Sequence, residues 1–232
     1  MPLVILPGLI CDSSMFGAPL AAFPGSMVVE GFYGGADRIE AMADYALDRI
    51  PDRCAVIGHS MGARVALEIM RKAPERVERL ALVDTGVHPV KPGERDARYR
   101  LRDLGRAQGM VALVDQWLPP MVGANALGEE GLMARLHAMA VVAGLATFEA
   151  QIEALLHRPS VDTLLPMITC PTFAIVGQDD QWSPVEQHRQ IAAVIPGAQL
   201  RVIAGAGHMM PAEAPEAFNR AISEWLDWPT TQ

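Results

Sequence analysis

A chain of 232 residues, half of them hydrophobic and a fifth charged, can bury a large core and falls outside the disordered classes. Its formal net charge of −8, with no offsetting basic cluster, excludes a phosphate-backbone partner. Cys11, Cys54 and Cys170 are odd in number and lack metal-ligand spacing, which predicts reduced thiols in a cytoplasmic protein.

The first strand is expected at 3–6, closed by Pro7-Gly8 before any leader-like basic or long apolar region. A short strand at 27–29 follows, then a loose stretch, Gly31-Phe32-Tyr33-Gly34-Gly35. Ile39, Met42, Ala46, Leu47 and Ile50 recur at helical spacing up to Pro51. Residues 55–57 read as a buried strand, about 61–73 as a helix ended by Pro74, and 80–83 as a strand delivering Asp84-Thr85-Gly86. From 87 to 165 the alternation stops. Helices are expected there at roughly 94–108, 111–118, 129–144 and 147–156, with 95–106 as a solvated face of interleaved Arg, Asp and Glu. No window reaches the length of a membrane span. Strands at 173–176 and 199–203 and helices at 185–194 and 213–226 complete the chain.

Alternating strands and helices imply an α/β, doubly wound, mainly parallel sheet covered on both faces. A helical insertion between two strands would lie over their C-terminal ends, where open α/β sheets place their sites. Residues 87–165 therefore read as a lid hinged near Gly86 and Leu165, on a core formed by 1–86 and 166–232.

Gly58-His59-Ser60-Met61-Gly62 joins the expected strand to the expected helix. A serine between glycines two positions away on either side suits a sharp, strained turn that pushes its hydroxyl out of the end of the sheet. The same turn leaves the Met61 N–H at a helix N-terminus, where an anionic oxygen is stabilised. A serine nucleophile needs a base, and the base needs an orienting acid. Among six histidines, His208 in Ala204-Gly205-Ala206-Gly207-His208 follows a strand at the same end of the sheet and is the candidate base. His59 reads as packing or hydrogen bonding within the turn, and His88, His137, His157 and His188 as surface or packing residues. Asp180, in Gly177-Gln178-Asp179-Asp180, is the favoured acid, with Asp84 as its rival. An oxyanion hole needs two convergent N–H donors; Met61 supplies one, and Leu9, behind Pro7-Gly8, is the natural second.

Leu6-Pro7-Gly8-Leu9, Gly58-His59-Ser60-Met61-Gly62, Gly177-Gln178-Asp179-Asp180 and Gly205-Ala206-Gly207-His208 together resemble the motif set of the α/β-hydrolase superfamily. Within it the chain is similar to the small, lidded carboxylesterases and enol-lactonases, although Pro7-Gly8 stands where His-Gly is usual. The resemblance implies a chain starting at the family's third strand and a six-stranded parallel sheet in the family order 4-3-5-6-7-8. It also implies a serine esterase acting through Ser60, His208 and Asp180, with Leu9 and Met61 holding the oxyanion and no metal or cofactor. C–C bond hydrolases, lactonases, thioesterases and slow-turnover receptor-like binding proteins use the same constellation. The Met-rich, sparsely charged lid suggests a small or medium apolar ester, sensed by residues such as Met133 and Met139.

Overall fold

In a computed structural model of the protein, residues 1–229 are described. Strands β1 (Leu3–Leu6), β2 (Met27–Val28), β3 (Cys54–His59), β4 (Val77–Val83), β5 (Thr172–Gly177) and β6 (Gln199–Ile203) form one sheet in the order β2-β1-β3-β4-β5-β6. Every pairing is parallel. Chain reversal between β1 and β3 places the crevice at the C-terminal end of those two strands, as the switch-point rule for such sheets requires.

Both faces of the sheet are covered, so the strands are nearly continuous apolar runs. Leu3, Ile5, Ala55, Ile57, Ala81, Val83, Phe173 and Ile175 point to one side, and Val4, Leu6, Val56, Leu80, Leu82 and Ala174 to the other. The first face packs on α1 (Gly17–Ala22) and on the C-terminal helix; the second on α2 (Ile39–Leu47), α3 (Met61–Lys72) and, beyond the insertion, a helix after β5. On α2 the stripe Ile39, Met42, Ala46 is buried, as its spacing predicts.

Between β4 and β5 the chain is helical: α4 (Glu94–Gln108), α5 (Met110–Trp117), α6 (Ala124–Leu127), α7 (Glu130–Ala143) and α8 (Leu145–Leu156). Leu113, Trp117, Met139, Phe148 and Ile152 from these helices join the same apolar cluster as Leu9, Ile10 and Phe16. The segment is thus seated over the C-terminal ends of β1 and β3. No single helix among the described residues is long and apolar enough to cross a membrane.

After β5 come α9 (Val185–Val194), α10 (Met210–Glu213) and α11 (Pro215–Leu226). The single helix expected over 213–226 is divided, because Pro215 has no N–H to continue a ladder and disfavours helical geometry at Ala214, whose φ/ψ is −133°/57°. The strand at β4 begins three residues before the expected 80, since Val77 and Arg79 also pair with β3. Residues 230–232, the end of the expected core segment, lie outside the described residues.

Candidate active site

Ser60 sits between β3 and α3 with φ 54° and ψ −114°, a conformation that a residue with a β-carbon adopts only under constraint. The constraint is visible on each side. The Ser60 N–H donates to Val83 O at 2.8 Å, and Thr85 Oγ1 donates to Ser60 O at 2.9 Å. A β-carbon at Gly62 would lie 2.0 Å from Leu6 O, and one at Gly58 would lie 2.5 Å from Ala63 Cα. Only glycine lets α3 start so close to β1 and to its own strand.

His208 occupies the loop between β6 and α10. Its Nε2 is 2.8 Å from Ser60 Oγ, and its Nδ1 is 2.8 Å from Asp180 Oδ2. The other Asp180 oxygen accepts the N–H groups of Trp182 and Ser183 at 2.8 and 2.9 Å. Burial pushes the Asp180 carboxyl up, but the His208 contact and these two N–H donors outweigh it, and the net shift is downward. Asp180 is therefore an anion held against Nδ1, which leaves Nε2 free to take a proton from Ser60. The structure thus brings Ser60, His208 and Asp180 into one hydrogen-bonded chain.

Asp84 has a different place. It is fully buried at φ 46°, its Oδ1 accepts the Gly177 N–H at 2.8 Å, and its Oδ2 has no partner among the described residues. Burial, reinforced by the nearby Asp180 charge, holds its carboxyl well above the ordinary range. Asp84 ties β4 to the start of the Asp180 turn and does not touch His208.

His59, beside Ser60 in the chain, reaches across to the His208 loop. Burial, and then the His208 charge, lower its pKa to about 3, so the ring is neutral and donates from Nε2 to His208 O at 2.8 Å. His188 is likewise buried and neutral, its pKa lowered to about 4 chiefly by burial; its Nε2 accepts the Thr85 N–H at 2.9 Å.

Neither the Leu9 nor the Met61 N–H has an acceptor among the described residues, and both residues line the cavity that opens on Ser60. The loop that carries Leu9 is gripped from two sides. The Tyr33 hydroxyl donates to Pro7 O at 2.8 Å, and Gln151 Oε1 on α8 accepts the Ile10 N–H at 2.7 Å. The His208 loop is gripped as well. The His208 N–H donates to Met121 O at 2.7 Å, while the Glu213 carboxylate accepts the N–H groups of Gly123, Gly207 and Met209 at 2.8, 2.9 and 2.9 Å. No role in the site is expected for Tyr33, Gln151 or Glu213 from the sequence. Nothing in local spacing marks them, because each acts on a loop far away in the chain or on bare backbone.

The cavity measures about 380 Å³, within the range of small-molecule sites. Two expectations about its wall are corrected. Met133 and Met139 do not line it: Met139 is buried in the core and Met133 faces a separate surface hollow, whereas Met121 and Trp117 do reach it. Nor is the 95–106 stretch wholly solvated, since the Arg98 side chain is only 14% exposed and forms part of the wall. The inserted helices are therefore not sparsely charged where they meet the cavity.

A parallel sheet switching direction beside a strained serine turn, with a histidine and carboxylate delivered from later strands, defines an α/β hydrolase. The chain belongs to the alpha/beta hydrolase family, whose model matches residues 3–221. Its relatives include a putative carbamate hydrolase RutD of Serratia proteamaculans, 28% identical over 207 residues that cover 84% of this chain and 73% of that one. Among solved structures, a thermophilic esterase from Thermogutta terrifontis is similar with a TM-score of 0.85 and 28% identity, covering 97% of this chain and 89% of that one. The enol-lactonase from Burkholderia xenovorans LB400 shares the fold, with a TM-score of 0.84 at 23% identity, covering 98% of this chain and 92% of that one.

Proposed function

We propose that the chain is a serine hydrolase that cleaves a small or medium carboxylic ester through an acyl-enzyme. The observation that carries this reading is the chain of two 2.8 Å contacts, Ser60 to His208 and His208 to Asp180, at the wall of the cavity. In this reading Ser60 Oγ attacks the ester carbonyl as His208 Nε2 takes its proton. The Leu9 and Met61 N–H groups receive the oxyanion. Collapse breaks the bond to the alcohol, which leaves with the proton from His208. Water then attacks the acyl group, again giving its proton to His208, and the acid departs from regenerated Ser60. The apolar stretch of the substrate lies against Leu9, Trp117 and Met121.

Residues 87–165 act as a lid on the core formed by 1–86 and the segment from 166 onward; support comes from the seating of α5, α7 and α8 against Leu9 and Ile10. Three free thiols, two of them buried, support a cytoplasmic setting. Carbamate hydrolysis is the second reading, on the strength of the Serratia relative, because a carbamate carbonyl presents the same electrophile to Ser60.

The test is labelling with a fluorophosphonate probe mapped by mass spectrometry, followed by a panel of esters, lactones, thioesters and carbamates. Labelling confined to Ser60, lost in Ser60→Ala, with esters turned over fastest, is the expected result. Absence of native labelling, or preference for carbamates, would overturn the ester reading.

A further inference from the structure

The cavity in front of Ser60 has a mixed wall. Leu9, Trp117 and Met121 are apolar, while Arg64, Lys91, Arg98 and Arg158 bring four cations against a single carboxylate, Glu94. In a chain whose net charge is −8, this concentrates positive charge on the wall of one cavity.

Glu94 is already committed. Arg158 meets it as a fork, Nη1 to Oε1 at 2.7 Å and Nη2 to Oε2 at 2.8 Å, and Arg98 adds Nη2 to Oε1 at 2.9 Å. Burial pushes the Glu94 carboxyl up, but the arginines and the Lys91 N–H outweigh it and bring the pKa to about 2. One negative charge thus faces two guanidinium groups before Arg64 and Lys91 are considered.

Arg64 is the group left over. Its side chain rises from the first turn of α3, four residues beyond Ser60, which is about 6 Å of helix. The residue is 5% exposed, it forms no ion pair among the described residues, and its one hydrogen bond runs from Nη2 to His88 O at 2.6 Å. Nε and Nη1 have no acceptor among the described residues. Burial, and then the neighbouring Arg158 charge, lower its pKa to about 9, so it remains a cation at neutral pH. The Glu94 and Asp162 charges favour its cation, but neither carboxylate bonds to it among the described residues; a buried guanidinium without a contacting anion is costly, and the cavity that Arg64 lines is where one would sit.

We propose that the substrate is an ester carrying a free carboxylate, which Arg64 receives at the cavity wall while the ester carbonyl lies at Ser60. This rests on the serine-hydrolase reading above. The carboxylate can belong to the acyl part, as in a half-ester of a small dicarboxylic acid, or to the alcohol part, as in the acylated form of a small hydroxy acid. Arg98 and Arg158 fix the Glu94 charge so that it does not repel the incoming anion, and Lys91, exposed and without an ion pair among the described residues, adds attraction at the rim.

Monomethyl adipate and 4-acetoxybutanoate, each compared with its neutral primary-amide counterpart, separate the two placements. The expected result is a kcat/KM ratio of acid to amide of about ten or more for at least one pair, as charge-assisted hydrogen bonds allow. In Arg64→Gln that ratio falls about tenfold, and Arg64→Lys restores part of it. Free glutarate protects Ser60 from the fluorophosphonate probe in the wild type and protects it less in Arg64→Gln. Should Arg64→Gln fail to fold, the wild-type ratios and the glutarate protection decide alone. Ratios at or below one for both pairs, with the neutral esters turned over, would overturn the inference and leave the hydrolase reading standing. Glutarate binding by calorimetry that is lost in Arg64→Gln, in a protein that cleaves no ester and takes no probe, would do the reverse.

Discussion

The Ile10 N–H donates to Gln151 Oε1 at 2.7 Å, joining the loop after β1 to α8 across 141 positions of the chain. Ile10 has φ 49°, so the loop is held in a conformation it would not choose alone. If the Leu9 N–H stabilises an oxyanion, its aim depends on this contact. Gln151→Ala leaves a buried N–H without an acceptor, at a cost of about 1–3 kcal/mol. The expected outcome is a kcat lowered about tenfold or more with KM nearly unchanged, since the effect falls on the transition state. Steady-state kinetics on a single ester reads this directly; a loss confined to KM would assign Gln151 to substrate binding instead.

Asp180 and Asp84 lie close enough to influence each other, yet only Asp180 reaches His208. Asp180→Asn removes the anion that orients Nδ1–H and should lower kcat by about 10³–10⁴ at neutral pH. Asp84→Asn keeps the acceptor for the Gly177 N–H and suits a positive φ, and it should leave kcat within about threefold of wild type. Because the folded-state pKa of Asp84 is raised, its stabilising contribution is full below the unfolded value and is lost as pH rises toward the folded one. Asp84→Asn therefore removes this penalty and should unfold at higher temperature than wild type at pH 8. Thermal melts at pH 5 and pH 8, with parallel kinetics on both variants, check the pair.

Glu213 deals with bare backbone, accepting N–H groups on both flanks of His208 and one from Gly123. Glu213→Ala strands three donors, and a loss of about 2–5 kcal/mol is expected from hydrogen bonds to a charged acceptor. Glu213→Gln keeps one acceptor oxygen and should recover part of it. Urea midpoints of the two variants, with fluorophosphonate labelling rates of Ser60, measure the effect on the fold and on the placement of His208 separately.

Glu94 sets an acid limit. Its folded pKa of about 2 lies below the ordinary 4.5, so its contribution is complete above pH 4.5 and fades as pH falls toward 2. Glu94→Gln should be less stable than wild type at pH 7, and the gap should close between about pH 4.5 and 2. Denaturant midpoints across that range would show it; a constant gap would mean that Glu94 acts by shape and not by charge.

The parts of this molecule that the sequence displays are those with a local cause. Gly58 and Gly62 announce the serine turn because a β-carbon at either position collides with backbone, and Gly207 before His208 reads as a flexible loop after a strand. Strand and helix alternation displays the sheet for the same reason. Arg64 illustrates the opposite case. It sits inside a helix of good formers, where nothing distinguishes an arginine facing solvent from one facing a cavity until α4 and the turn before it close over that side. Arg98 is hidden for the same reason: an Arg, Asp and Glu mixture looks solvated whichever face turns inward. The expectation of one helix over 213–226 passes over the signal of Pro215, which disfavours helical geometry before it, whereas Gln151 reaches Ile10 through contacts that no periodicity encodes.

The contact between Ser60 and His208 spans 148 positions of the chain, and Asp180 arrives only with β5. During synthesis the strained turn therefore emerges long before the groups that can make its hydroxyl reactive. A ribosome-bound chain ending before β5 holds the serine but neither proton acceptor nor carboxylate, and long-range parallel pairing of this kind forms slowly. If Ser60 is the nucleophile, its reactivity would report completion of the fold, absent from any chain that lacks β5 and β6 and present once both have docked.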